Sequence, residues 1–280
     1  VSLSHGSRAI QQGTGKLLHE GAHCSNFLFG GRTVTVSDRE GLLTPSSIIV
    51  DTQSLPKASV MRSEGGVIQT DSYAIELSRG VDLRLPRGLE LDSVACANTI
   101  APHIEARDRS ISTALQVLLG KATIPDGLDG FMARRQAAKI ADSRKLSDLA
   151  RGLLGLGYGL TPSGDDFLVG VAMVLNLRGE NVSQITGAVL PYPNLFSRTM
   201  LVDALDGHYA APVGALGASM ALGIGVDKSA GHLLRMGQTS GCDTLAGVWF
   251  ALNNVRGGTI LPFKTPSSSS QTAPTVSGLI

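Results

Sequence analysis

The 280-residue sequence predicts an α+β fold, a β-rich N-terminal part followed by a larger and mostly helical part. Three observations predict it. Short alternating segments fill the first part of the chain, glycine and proline punctuate them, and beyond about Leu91 the apolar spacing becomes helical.

Residues 1–16 are polar and Gly/Ser-rich and read as a flexible lead-in. Within 17–90, Arg32-Thr-Val-Thr-Val-Ser37 and Tyr73-Ala-Ile-Glu-Leu-Ser78 alternate with period two, and Ser47-Ile-Ile-Val-Asp51 is β-branched. Turn residues separate them at Gly30-Gly31, Gly41, Pro45, Gly65-Gly66 and Gly80, which predicts an antiparallel unit. Residues 91–263 form the helical part. Ile111, Ala114, Leu115 and Leu118 share one helix face, with Gly120 as a stop. Leu146, Leu149, Ala150, Leu153 and Leu154 repeat the pattern after Ser143 as a cap, ending at Gly155. Further helices are expected over 126–141, 163–178, 195–206, 228–236 and 240–252. From 264 to 280, Ser267 to Ser270 with Pro266 and Pro274 reads as a disordered tail.

Composition narrows the function classes. A net charge of +1 gives no support for nucleic-acid binding or a polybasic membrane surface. Tyr209 to Val226 is uncharged, but its alanines, glycines and Pro212 make it a buried helix pair or loop rather than a membrane span. Cys24, Cys96 and Cys242 are widely spaced, against a disulfide framework or zinc site and consistent with a reducing cytoplasm. No basic, apolar leader is visible.

The chemistry concentrates in Gly155-Leu-Gly-Tyr-Gly-Leu-Thr-Pro-Ser-Gly-Asp-Asp-Phe-Leu-Val-Gly170. Ser163 reads as the cap of a helix with Asp165 and Asp166 in its first turn, and Ser163 with Asp166 reads as a capping box. Thr239-Ser-Gly-Cys-Asp-Thr-Leu-Ala-Gly247 echoes this stretch: Ser240, Gly241, Asp243 and Gly247 align with Ser163, Gly164, Asp166 and Gly170. Glycines at equivalent helical points predict close approach of the two helices. Asp165 aligns with Cys242, so helix construction does not explain it, and it is the first choice for a chemical carboxylate.

Asp165 and Asp166 are therefore the catalytic candidates. Gly157, Gly159, Thr161, Ser163, Gly164, Thr239, Ser240, Gly241 and Asp243 are candidates for substrate or anion binding. Carboxylates beside an anion site repel it, which leaves three readings: a bridging magnesium ion, a ligand presenting amide N–H groups to the acids, or purely structural acids. Asp203, Asp206 and His208 form a reserve set of ligands. His19 and His23 lack a third partner, and His103 and His232 lack context. Cys242 reads as a small packed thiol.

Gly157-Tyr-Gly-Leu-Thr-Pro-Ser-Gly-Asp-Asp-Phe-Leu168 resembles the signature of the AllH-type proteins, and Thr239-Ser-Gly-Cys-Asp243 resembles that family's second segment. Tyr158 stands where proline is usual and Gln238 where histidine is common. The resemblance implies a subunit of an oxamate carbamoyltransferase in ureide and purine-nitrogen (allantoin) catabolism. That complex would include FdrA-like and AllG-like subunits and act on carbamoyl phosphate or an oxalurate-like substrate. The alternatives are a non-catalytic scaffold subunit of that complex and a stand-alone metal-dependent phosphate-ester hydrolase.

Overall fold

The computed structural model describes residues 2–262 apart from 10, 40–42, 53–54, 56, 65, 78–79 and 108, so the tail expected at 264–280 lies outside the described residues. The N-terminal part is one sheet built from β1 (Ser2–Gly6), β2 (Gly13–Glu20), β3 (Cys24–Phe29), β4 (Arg32–Ser37), β5 (Ser47–Val50), β6 (Val60–Glu64), β7 (Val67–Thr70), β8 (Ala74–Glu76) and β9 (Gly80–Val81). Its order is β8-β7-β6-β2-β3-β4-β5-β1-β9.

Two differences from the expected β unit stand out. Most neighbours are antiparallel, but β4 pairs with β5 and β1 with β9 in parallel. The polar stretch read as a lead-in contributes β1 and the start of β2; β1 pairs with β5 and β9, and β2 with β3 and β6. Its side chains carry no apolar alternation, because there the ladder hydrogen bonds carry the pairing.

The strand alternation sorts side chains between two environments. Phe27 and Phe29 of β3 and Val34 and Val36 of β4 are buried with Ile48, Met61, Ile68 and Ile75 in a core belonging to the sheet. Register pairs Phe27 with Val34 and Asn26 with Thr35, so Asn26, Thr33 and Thr35 occupy the opposite face, toward the helices. Gly30 and Gly31, at φ 50° and 88°, close the β3–β4 hairpin as a two-residue turn that requires positive φ at both positions.

The helical part contains α1 (Ser93–Ile100), α2 (Ile111–Leu118), α3 (Gly127–Asp142), α4 (Leu146–Leu153), α5 (Ser163–Leu177), α6 (Ser183–Val189), α7 (Leu195–Leu205), α8 (Ala211–Leu222), α9 (Val226–Leu233) and α10 (Ser240–Asn254). A short hairpin of β10 (Val255–Arg256) and β11 (Thr259–Ile260) follows. The stretch that lacked charge over 209–226 is α8, stopped by Gly223 in the left-handed region. No described helix is long and apolar enough to cross a membrane.

Helix α5 is the centre of this part: every residue from Ser163 to Leu177 is buried. It lies directly against α10. A Cβ added at Gly170 would stand 2.1 Å from the Thr244 carbonyl oxygen, and one at Gly247 would stand 2.0 Å from that of Phe167. Phe167 aligns with Thr244 and Gly170 with Gly247, so the contact is reciprocal. The symmetry extends outward. A Cβ at Gly164 would meet the carbonyl oxygen of Leu153, the last residue of α4, at 2.0 Å. One at Gly241 would meet that of Leu233, the last residue of α9, at 1.9 Å. The sequence echo is thus a packing echo, α4–α5 against α9–α10.

Three expected caps are corrected. Ser143 ends α3 instead of starting α4, its hydroxyl donating to the Lys139 carbonyl at 2.6 Å. Pro162, not Ser163, holds the cap position of α5, and the Ser163 hydroxyl donates to the Arg109 carbonyl at 3.0 Å. Thr239 holds that position in α10 without a side-chain capping bond. Neither capping box forms, because tertiary partners claim these groups first.

Gly170→Ala and Gly247→Ala should each destabilise the protein by about 1–3 kcal/mol, since the added methyl meets backbone that cannot yield. Gly187, in α6, has open space at its Cβ position. Gly187→Ala should instead stabilise by up to about 1 kcal/mol. Urea unfolding of the three variants checks the opposite signs.

Candidate functional site

A cleft of ≈ 340 Å³ lies between the polar face of the sheet and the helices. Asn26, Thr33, Thr35 and Ser46 form the sheet wall. From α7 come Phe196, Thr199, Met200 and Asp203, at the i, i+3, i+4, i+7 spacing of one helix face. Thr161 and Asp166 enter from the start of α5, and Gly237, Ser240 and Thr244 from the start of α10. The two serine–glycine helix starts therefore converge on one cleft.

Each wall is held by specific bonds. The backbone N–H of Thr33 donates to Thr199 Oγ1 at 3.0 Å, joining β4 to α7. Asp203 accepts from Arg32 at 2.5 Å and from the Ser46 hydroxyl at 2.9 Å, and pairs with Arg8 Nε at 3.1 Å. The Asn194 side chain caps α7 and donates to the Leu160 carbonyl at 3.0 Å, pinning the Gly-rich loop beside the cleft. In that loop Gly157, at φ 144°, approaches so near that a Cβ would meet the Ser163 nitrogen at 2.5 Å.

The adjacent acids have different surroundings. Asp165 is fully buried and is not among the lining residues of the cleft. Its carboxylate accepts from the Gly155 N–H at 2.8 Å and the Tyr192 hydroxyl at 3.1 Å. Burial raises its pKa, while Ser197, Gly155 and Tyr192 act to lower it. It thereby ties the end of α4, the start of α5 and the approach to α7. Asp166 does line the cleft. Burial first, then the nearby charge of Asp243, pushes its carboxyl well above the usual range against hydrogen bonds from Ser240 and Thr161.

Asp243 sits behind Asp166. Its Oδ1 accepts from the Ser110 hydroxyl and, at 2.7 Å, from the Ile111 N–H, so it caps α2 across the interface. Among the described residues, its buried Oδ2 has no hydrogen-bond partner. Burial raises its pKa to about 6. Two acids so placed favour holding at least one proton between them at neutral pH.

Of the eleven residues singled out from sequence, Thr161, Asp166 and Ser240 line the cleft. Gly157, Gly159, Ser163, Gly164, Asp165, Thr239, Gly241 and Asp243 do not, and build the loops and helix starts around it. Two of the amides expected to meet an anion are engaged: Gly164 N–H donates to the Leu156 carbonyl at 3.0 Å and Gly241 N–H to that of Met236 at 2.9 Å. The sequence reading missed Asn26, Thr35 and Thr199, whose only signal is polar alternation on a strand or helix face, and Ser46, in the turn before β5, which carries no such signal.

The reserve ligands are paired. Asp203 holds Arg8 and Arg32, Asp206 pairs with Arg8 at 2.7 Å, and His208 lies 3.4 Å from the same guanidinium. Desolvation, then Arg8, lowers the His208 pKa, which favours the neutral ring. Among the described residues no three His, Cys, Asp or Glu side chains group to hold a metal. These donors do not fit a magnesium ion. Burial raises the Cys242 thiol pKa, in keeping with a packed side chain.

Two substitutions separate construction from chemistry. Asp165→Ala should cost about 2–4 kcal/mol, leaving the Gly155 N–H and Tyr192 hydroxyl without their acceptor, and should lower the melting temperature by several degrees. For Asp243, the raised pKa means that stability is fully present below the unfolded value and is lost as pH rises through about 6. Asp243→Asn should flatten this dependence, so the stability of the variant relative to wild type rises by up to about 3 kcal/mol between pH 4 and 7. Denaturant titrations across that range measure it.

Residues 153–252 match the family model described as oxamate carbamoyltransferase subunit AllH. No curated protein and no solved structure matches the chain. The matched span runs from the end of α4 to the end of α10, and so contains both helix starts and the α7 and α8 walls of the cleft. Over that span, less than half of the chain, the sequence is similar to the oxamate carbamoyltransferase subunit AllH family.

Proposed function

We propose that this protein is a subunit of an oxamate carbamoyltransferase-like assembly, and that its cleft receives the amide or carbamoyl end of carbamoyl phosphate or an oxalurate-like substrate. The observation carrying this reading is the convergence of Thr161, Asp166, Ser240 and Thr244, from the two matched helix starts, on one cleft closed by the sheet. Hydroxyls supply both donors and acceptors, as a carbamoyl group requires. A protonated Asp166 donates to the carbamoyl oxygen, draws charge from its carbon and makes that carbon easier to attack. Asp165 serves by fixing the loop that carries Thr161.

The word subunit in the family description supports assembly with other proteins, and FdrA-like and AllG-like chains are the partners the resemblance implies. The scaffold reading draws on a different observation: Asp165 and the four helix glycines are all accounted for by packing. Ligand binding separates the two.

Calorimetric titration of the purified chain with oxamate, oxalurate and carbamoyl phosphate is the test. Wild type should bind at least one of them, and Thr161→Val should weaken that binding about tenfold, the value of one lost hydrogen bond of roughly 1–1.5 kcal/mol, at an unchanged melting temperature. Absence of binding by the folded wild type, or an unaltered Kd in the variant, would favour the scaffold.

A further inference from the structure

The cleft is larger and more apolar than a carbamoyl group needs. Its lining surface is mostly apolar, with Leu160, Val169, Phe196, Met200, Val213 and Met236 among the residues that form it. A space of ≈ 340 Å³ falls in the range that encloses a small organic ligand with a body of its own. Oxamate alone would leave much of that apolar surface in contact with water.

Its charge is equally informative. Among the described residues lining the cleft there is no lysine or arginine. The nearest guanidiniums, Arg8 and Arg32, are committed to Asp203, and Arg8 also to Asp206. The Gly164 and Gly241 amides, at the two helix starts, are bonded to carbonyls. A phosphate or carboxylate entering this space would lose its hydration without gaining a cation, and an unpaired buried charge costs far more than a hydrogen bond returns. The other polar lining is mostly hydroxyl and amide groups, among them Asn26, Thr161, Ser240 and Thr244, with Asp166 and with His208, whose lowered pKa favours the neutral ring, and these pair with neutral donors and acceptors.

The geometry points to a ligand class: the cleft takes an uncharged primary amide or ureide carried on an apolar, ring-sized body, and discriminates against the corresponding anion. This goes beyond the proposed function: it concerns the same cleft and the same kind of amide end, but oxamate, oxalurate and carbamoyl phosphate carry no apolar body, so the ligand is a further amide or ureide. It goes further by placing any anionic group of the substrate outside the enclosed part of the cleft.

The test compares shapes that differ in charge alone. Ligand-observed NMR on the full chain at pH 7 would measure benzamide against benzoate, with inorganic phosphate as a third probe, at low and high salt. Benzamide should bind at least tenfold tighter than benzoate, phosphate should neither bind nor displace it, and its Kd should be unaffected by salt. Met236→Lys, which adds a cation at the partly buried rim, should narrow or reverse the preference. Equal or tighter binding of benzoate or phosphate to wild type, or a benzamide affinity that falls with salt, would overturn the inference. If oxamate or oxalurate binds while benzamide does not, the apolar-body ligand fails and the proposed function stands. If no amide or ureide binds, both fail.

Discussion

The arrangement depends on one contact, the backbone-to-backbone crossing of α5 and α10 at Gly170 and Gly247. Neither position has room for a Cβ. At that separation the helices bring Asp166 and Asp243 close enough for the charge of one to raise the pKa of the other. The same closeness lets Asp243 reach past its own helix to the Ile111 N–H and secure α2. Thr161 and Asp166 can then face Ser240 and Thr244 across a single opening. A wider crossing would separate the two halves of the cleft and admit water between the acids.

Much of this was legible because it is local. The helical spacing of Leu146, Leu149, Ala150 and Leu153 is found as α4 with all four buried, and the alternation of Arg32–Ser37 is found as β4. The close approach at Gly170 and Gly247 was also legible, since two glycines at matching points of repeated helices need a common cause. What the sequence did not show is non-local. β1 and the start of β2 have few apolar side chains and are paired through their backbones with distant neighbours. Ser163 has the residue type of a cap, yet its hydroxyl is claimed by the Arg109 carbonyl, fifty-four positions away in the chain.

The two acids show what comparing the repeats leaves out. Asp166 and Asp243 recur, which suggested construction, and Asp165 does not, which suggested chemistry. In the fold the unrepeated residue is the one whose bonds are satisfied by its surroundings. Its counterpart Cys242 faces the Glu105 carbonyl, whereas Asp165 faces Tyr192 and the Gly155 N–H. The repeats diverge at that position because different elements pack outside them, and the side chain follows the neighbour. Position relative to the cleft, which no alignment of the halves reveals, sets Asp166 and not Asp165 among the lining residues.

Magnitudes then decide the state of Asp166. It lies in the first turn of α5, where the helix dipole favours a carboxylate by about 0.3–1 kcal/mol and up to about 2 in partly buried sites. Removing an ionised carboxyl from water costs several kcal/mol even after the surroundings relax. Asp166 is 2% exposed and has a second acid behind it, so desolvation and repulsion outweigh the dipole and the Ser240 and Thr161 bonds together. In its protonated form the carboxyl is an O–H donor, which removes the conflict between paired acids and an electron-rich ligand. An acid that would repel a carbonyl oxygen when ionised becomes its hydrogen-bond partner when neutral, and burial beside Asp243 at the tight helix crossing shifts the Asp166 pKa toward that form.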